Sequence, residues 1–208
     1  MEALIYAGGK GTRMGKCGTE KPMHIIGGVP VVRRVVDVLS SSEFVDRVLV
    51  SVSDNTMETD KYLRSEGIET VFTSGIDFVD DMHTALDVMS GRFVITSPSD
   101  MPLLKKQAVD SLYRFFDPDT MESAIAVVRE DTVKSIGIKP SYSIDINGRK
   151  WVLSGLCMMD RIKTLEDVFL KESYMQTDMF ELAVNVNTLE ELELARKMIE
   201  HQISSSFS

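Results

Sequence analysis

Lys10, Arg13, Lys16 and Lys21 stand among five glycines in the stretch LIYAGGKGTRMGKCGTEKP, residues 4–22. Glycine lets backbone approach a ligand closely and aims successive N–H groups into a concavity that suits an anion. Arginine can fork onto phosphate oxygens, and lysine adds a point charge. From residue 10 to residue 21 four positive charges stand against the single negative charge of Glu20, a local +3 in a chain of net charge −9. This combination points to phosphate binding, with a plain soluble surface loop as the alternative. Two well-known phosphate loops are excluded by single positions. Gly15-Lys16 is followed by Cys17, where a Walker loop needs Ser or Thr, and Met14 stands where a dinucleotide fingerprint needs its third glycine.

Such a loop needs a strand before it and a sheet behind it. Residues 3–7 are a short apolar run closed by Gly8-Gly9, the pattern of a buried strand. Strands and helices alternate from there. Residues 44–53, 68–73, 92–97 and 123–129 read as strands. Helices are expected from Pro30, taken as the first helical residue, over 56–67, over 78–91 and, preceded by Pro102, through to about Phe116. In the third of these Phe78, Met82, Ala85, Leu86 and Met89 fall on one side, with Gly91 ending it. Asn147-Gly148 signals a hairpin, 181–187 reads as a late strand, and Thr188 with Glu191 forms a capping box that opens a last helix. The expected fold class is therefore α/β: one domain over residues 1–208, with a mostly parallel mixed sheet covered on both faces. Ligands of such sheets sit at the carboxyl ends of the strands. That directs attention to the loops after residues 7, 73, 97 and 186.

Composition narrows the function classes. The 208 residues are 43% hydrophobic and 26% charged, ordinary for a globular protein. The acidic balance argues against nucleic acid as a partner. Cys17 and Cys157, with His24, His83 and His201, lack the spacing of a zinc site or a disulfide framework and fit a reducing compartment. No signal peptide and no apolar run of about 20 residues is present, so a cytoplasmic protein without a membrane span is expected.

At this point the glycine stretch resembles a family. An apolar strand, then AGGKGTRMG, then EKP is similar to the signature of the nucleotidyltransferases that join a nucleoside triphosphate to a phosphorylated acceptor. These include sugar-phosphate nucleotidyltransferases and molybdenum-cofactor guanylyltransferase. SPSDMPLL (97–104) resembles the family loop whose aspartate binds magnesium, and NVNTLEEL (185–192) resembles its Asn-x-Asn-Thr junction. TSGIDFVDDMHTALD (73–87), SIDINGRKWVLSG (143–155) and Glu20 before Lys21 especially resemble the compact archaeal-type adenosylcobinamide-phosphate guanylyltransferases.

The resemblance implies a Rossmann-like three-layer fold and transfer of GMP from GTP to adenosylcobinamide phosphate with Mg²⁺. It implies that Ala7, Gly8, Gly9, Lys10, Gly11, Thr12 and Arg13 cradle the triphosphate, and that Lys21 acts on the α-phosphate. Asp100 would hold the metal, and Asn187 the metal or the acceptor phosphate. Thr73, Ser74, Gly75, Asp80 and Asp81 would surround the guanine, and Gly155 would leave room for the acceptor. Trp151, Met158, Met159, Tyr174 and Met175 are candidates for an acceptor groove, with core or homodimer contact as the alternative. Other acceptors, or a nucleotide-binding regulator without catalysis, stay open.

Overall fold

A computed structural model describes residues 1–15, 18–140 and 142–206, with side chains up to residue 202. Lys16, Cys17 and the side chains of the Ser-rich tail from Ser204 lie outside the described residues.

The buried apolar residues of the first run form β1 (Glu2–Tyr6). After the glycine stretch come a small ribbon, β2 (Ile25–Ile26) and β3 (Val29–Pro30), and then α1 (Val31–Ser41). Pro30 thus ends the ribbon at the cap position, not inside the helix. The alternation continues through β4 (Arg47–Val52), α2 (Met57–Ser65), β5 (Glu69–Phe72), α3 (Phe78–Asp87) and β6 (Phe93–Pro98). Next are α4 (Lys106–Phe115), β7 (Ser123–Arg129), α5 (Glu130–Ser135), β8 (Ser143–Ile146) and β9 (Arg149–Asp160). The chain closes with α6 (Arg161–Leu165), β10 (Glu172–Thr177) and α7 (Leu189–Ser206).

The sheet order is β10-β7-β9-β6-β1-β4-β5, with β8 paired to β9. β5, β4, β1 and β6 run parallel, while β9 is antiparallel to both β6 and β7. The β8–β9 hairpin turns at Asn147-Gly148 as expected. On one face the sheet buries Ile5, Val50 and Ile95 against α1, α4 and α7. On the other Leu4, Leu49 and Val94 pack on α3 and α6. The sheet is thus mostly parallel, mixed and sandwiched between helices. Among the described residues no helix is long and apolar enough to cross a membrane.

One expected strand is corrected, and three further features add to the reading. Residues 181–187 are not a strand: Phe180–Ala183 is a tight helical turn and 184–187 run irregularly. Their alternating Val184 and Val186 are buried, but the Val186 N–H goes to the Asp100 carbonyl at 2.9 Å, not to a ladder. β10 was not expected, because ESYMQT is a polar edge strand with little apolar signal. The helix expected after Pro102 is present and starts at Lys106, since Met101, Leu103 and Leu104 first turn into the core. Phe78 is 60% exposed, because the first turn of α3 overhangs the sheet, where its ring meets Tyr6 in a T-shaped contact, 5.0 Å between centroids.

One buried carboxylate ties the start of β1 to its neighbours. Glu2 accepts from Arg47 at 2.6 Å, from the Ser90 N–H at 2.6 Å and from the Gly91 N–H at 2.7 Å. Burial alone would raise its carboxyl. The Gly91 amide, the Arg47 guanidinium and Ser90 outweigh burial and hold the pKa at about 2. Its folded pKa lies below the unfolded value, so the stabilisation is present above pH 4.5 and fades as pH falls toward 2. Glu2→Gln should cost up to about 3 kcal/mol at neutral pH. Urea melts at stepwise pH should show that gap closing toward pH 2; a gap independent of pH would contradict the linkage.

Candidate active site

The loops after residues 7, 73, 97 and 186 converge as the topology demands. A cavity of about 430 Å³ opens at the carboxyl ends of β1 and β6. Its wall takes Ala7 to Arg13 from the glycine loop, Gly75 to Phe78 from the loop after β5, Pro98 to Asp100 from the end of β6, and Lys21, Asp81 and Asn187.

Lys21 is the centre of the polar network. Its Nζ donates to Asp100 Oδ2 at 2.5 Å and to Asn187 Oδ1 at 2.8 Å. The Lys21 and Asp100 side chains are only 17% and 11% exposed, so the pair is shielded from the solvent screening that makes surface ion pairs weak. Asn185 donates to the other Asp100 oxygen at 3.0 Å. Each member is fixed from behind. The Val186 N–H binds the Asp100 carbonyl, and the Ser99 N–H binds the Tyr6 carbonyl at 3.1 Å. The Asn187 and Thr188 N–H groups both donate to Glu191, at 2.7 and 2.9 Å, while Thr188 Oγ1 accepts from the Glu191 N–H. The expected capping box therefore also clamps Asn187.

Glu20 anchors Lys21 from the other side. Its carboxylate accepts from the Glu58 N–H at 2.7 Å, and from the Thr59 N–H and hydroxyl at 2.8 and 2.6 Å, capping the N-terminus of α2. Acceptors are favoured at such ends. Glu20→Ala should lower stability by about 1 kcal/mol, and should lower kcat more than it raises KM for nucleotide, because it frees the segment that carries Lys21. Thermal melts beside initial rates would check this. Loss of stability with kcat intact would reduce Glu20 to a helix cap.

The glycine loop leans on the loop after β5. Ser53 Oγ donates to the Gly8 carbonyl at 2.7 Å, and Asn55 Nδ2 bridges the Gly8 and Gly75 carbonyls at 3.2 and 3.1 Å. Asp81 takes the Gly75 N–H on both oxygens, at 3.0 and 3.1 Å, and the Ser74 hydroxyl at 2.7 Å. Asp81 thus lines the cavity while closing the turn.

Other expected base and acceptor contacts fall elsewhere. Thr73 is buried behind the wall with its hydroxyl on the Val52 carbonyl. Asp80 is exposed off the wall, and Ser74 is exposed and spent on Asp81. It is Asp77, capping α3 through the Val79 and Asp80 N–H groups, that borders the cavity. Gly155 lies outside the wall. It sits in β9 at a φ of +89°, beside the register shift with β7, and a Cβ there would come within 3.0 Å of Pro98. Of the proposed acceptor groove, Met158 and Met175 belong to the core and Trp151 is buried.

Asn185, Ser53, Asn55 and Asp77, and the capping role of Glu20, were not among the expected site residues. Only Asn185 carried a signal: in an extended Asn-Val-Asn both asparagines project to the same side. A small second pocket, between Arg13 and Glu191 and bordered by Asn185 and Lys139, adjoins the network.

The arrangement combines bare backbone for an anion, a shielded lysine beside it and a carboxylate–amide pair next to the lysine. Residues 3–162 match the MobA-like NTP transferase domain. The adenosylcobinamide-phosphate guanylyltransferase of Methanocaldococcus jannaschii is 32% identical, over 96% of this chain and 98% of its own length. A probable molybdenum cofactor guanylyltransferase of Halalkalibacterium halodurans is 26% identical over 86% of this chain and 80% of its own. Among solved structures, a nucleotidyl transferase from Methanothermobacter superposes with a TM-score of 0.72 at 15% identity, covering 97% of this chain and 98% of that one, a likeness of fold.

Proposed function

The chain belongs to the MobA-like NTP transferase family, and we propose that it transfers GMP from GTP to the phosphate of adenosylcobinamide phosphate, releasing pyrophosphate. The observation that carries the transfer chemistry is Lys21, held at 2.5 Å from Asp100 and 2.8 Å from Asn187 beside the glycine loop. The choice of acceptor rests on the near full-length likeness to the Methanocaldococcus enzyme. One domain, residues 1–208, would carry the reaction.

Phosphoryl-type transfers need positioning and charge neutralisation more than covalent help. Backbone N–H groups of Gly8 to Thr12 would hold the triphosphate, and Lys10 and Arg13 the leaving pyrophosphate. Lys21 would meet the charge that builds on the α-phosphate. The attacking group is a phosphate monoester with a second pKa of about 6, largely dianionic at neutral pH, so no side chain need remove a proton. Gly75 and Asp77 border the part of the cavity assigned to the base.

The oxygens of Asp100 and Asn187 suit a hard cation, and Mg²⁺ takes few protein carboxylates while keeping waters and substrate phosphates. Among the described residues no cluster of three or more His, Cys, Asp or Glu offers an all-protein cage, so the remaining oxygens would come from the nucleotide and water. When bound, the ion supplies charge neutralisation along the phosphates.

The test is pyrophosphate release with adenosylcobinamide phosphate, sugar 1-phosphates and molybdopterin, each offered with all four nucleoside triphosphates. Turnover with GTP and adenosylcobinamide phosphate is expected. Turnover confined to another acceptor would reassign the substrate, and none in any arm would leave a nucleotide-binding regulator.

A further inference from the structure

We propose that Lys21 and the divalent cation are alternative occupants of one cradle, so that Lys21 is released toward the nucleotide only when the cation takes its place. The proposal rests on reading Asp100 and Asn187 as cation oxygens. The structure shows the ammonium already bridging the two oxygens assigned to the metal, Asp100 Oδ2 at 2.5 Å and Asn187 Oδ1 at 2.8 Å. Asp100 Oδ1 is engaged by the Asn185 amide at 3.0 Å, which turns Oδ2 toward Lys21. A Mg²⁺ bound at its usual 2.0–2.1 Å from the same oxygens would lie against the ammonium. Two cations cannot share that position without strong repulsion.

The geometry also says where Lys21 goes. Its stem passes beside the phosphate loop, with its Cβ only 3.1 Å from where a Cβ on Gly11 would stand. Only the head is tethered at Asp100 and Asn187. With the stem held, rotation of the terminal torsions keeps the head along the cavity that it shares with Gly8 to Arg13. An ammonium freed from the cradle is thus delivered to the phosphates, while without the cation it is stored away from them. Nucleotide bound without a divalent cation would find the cradle filled and its transfer lysine turned aside. Glu20 and Glu191 hold the two sides of the cradle from behind, so the exchange needs side-chain rotation only.

The test is Mn²⁺ binding without nucleotide, read from the free-Mn²⁺ electron paramagnetic resonance signal, on wild type, Lys21→Met, Asp100→Asn and the double variant. Lys21→Met keeps the stem and removes the competing charge, so it should bind Mn²⁺ at least about tenfold more tightly than wild type, the scale of one charge-assisted hydrogen bond. Adding Asp100→Asn should abolish that gain. Equal affinity of wild type and Lys21→Met, with Asp100→Asn still abolishing binding, overturns the exchange but leaves the metal reading intact. A gain that survives Asp100→Asn overturns both.

Should Lys21→Met not fold, acetylation of wild-type protein followed by mass spectrometry decides. Mg²⁺ should raise labelling of Lys21 several-fold relative to the exposed Lys61, and an unchanged ratio overturns the proposal.

Discussion

Lys21→Ala and Asp100→Asn are each expected to lower kcat by at least about 10²–10³-fold, with KM for GTP changed far less. Loss of one neutral donor aimed at developing transition-state charge already costs about that much, and Lys21 carries a full charge in a shielded place. On the proposed reading Lys21 meets the charge that grows on the reacting phosphate, so its loss should fall on the step, not on binding of the ground state. Asp100→Asn keeps the shape and can still accept from Asn185. It sets an amide in place of the carboxylate that now faces the Lys21 ammonium at 2.5 Å, and it removes the charged oxygen assigned to the cation. Both variants should stay folded by circular dichroism, because α1, α4 and α7 pack on the sheet without them. Initial rates of pyrophosphate release over a GTP series separate kcat from KM. Near-parental kcat in either variant at saturating Mg²⁺ would remove that residue from the chemistry.

What the sequence disclosed and what it withheld divide along a physical line. The strand entering the glycine loop, the alternation that makes a mostly parallel sheet, the hairpin at Asn147-Gly148 and the capping box of Thr188 and Glu191 are local patterns. Each was legible because neighbouring residues carry the whole signal. Lys21, Asp100 and Asn187 were legible through the resemblance of three short stretches, and the structure brings them within hydrogen-bond reach. Their supports were not. Glu20 caps a helix 38 residues away, and Asn55 bridges carbonyls 47 and 20 residues away. No spacing rule links such partners. Periodicity runs beyond the reach of the sheet in two places. Residues 181–187 alternate like a strand, yet they find their partners in Asp100 and Glu191. Phe78 fits the apolar stripe of α3 but belongs to a turn that overhangs the cavity. β10 erred the other way: as an edge strand it needs only one neighbour, β7, and its polar residues gave nothing to count.

Gly75→Ala should injure both the fold and nucleotide binding, and the comparison with Gly9→Ala separates the two effects. Gly75 has a φ of +67°, and a Cβ there would lie 2.4 Å from both Asn55 Nδ2 and Ser53 Oγ. An alanine in the left-handed region costs about 1–2 kcal/mol, and the clash must move the two side chains that hold the Gly8 carbonyl. Strain at the loop after β5 is therefore passed to the start of the glycine loop. A loss of about 2 kcal/mol corresponds to a Tm lower by roughly 4–8 °C for a chain of this size. KM for GTP should rise by an order of magnitude or more, because the sides of the cavity proposed for the base and for the phosphates would shift together. Gly9 is the control. A Cβ there meets nothing within 4 Å, so Gly9→Ala should leave Tm unchanged. It can weaken GTP only by standing between the loop backbone and the phosphates. A stable Gly9→Ala protein with weakened GTP binding would locate the triphosphate against this loop. Unchanged binding would move the triphosphate off Gly9, while a normal Tm and KM in Gly75→Ala would deny the coupling through Ser53 and Asn55.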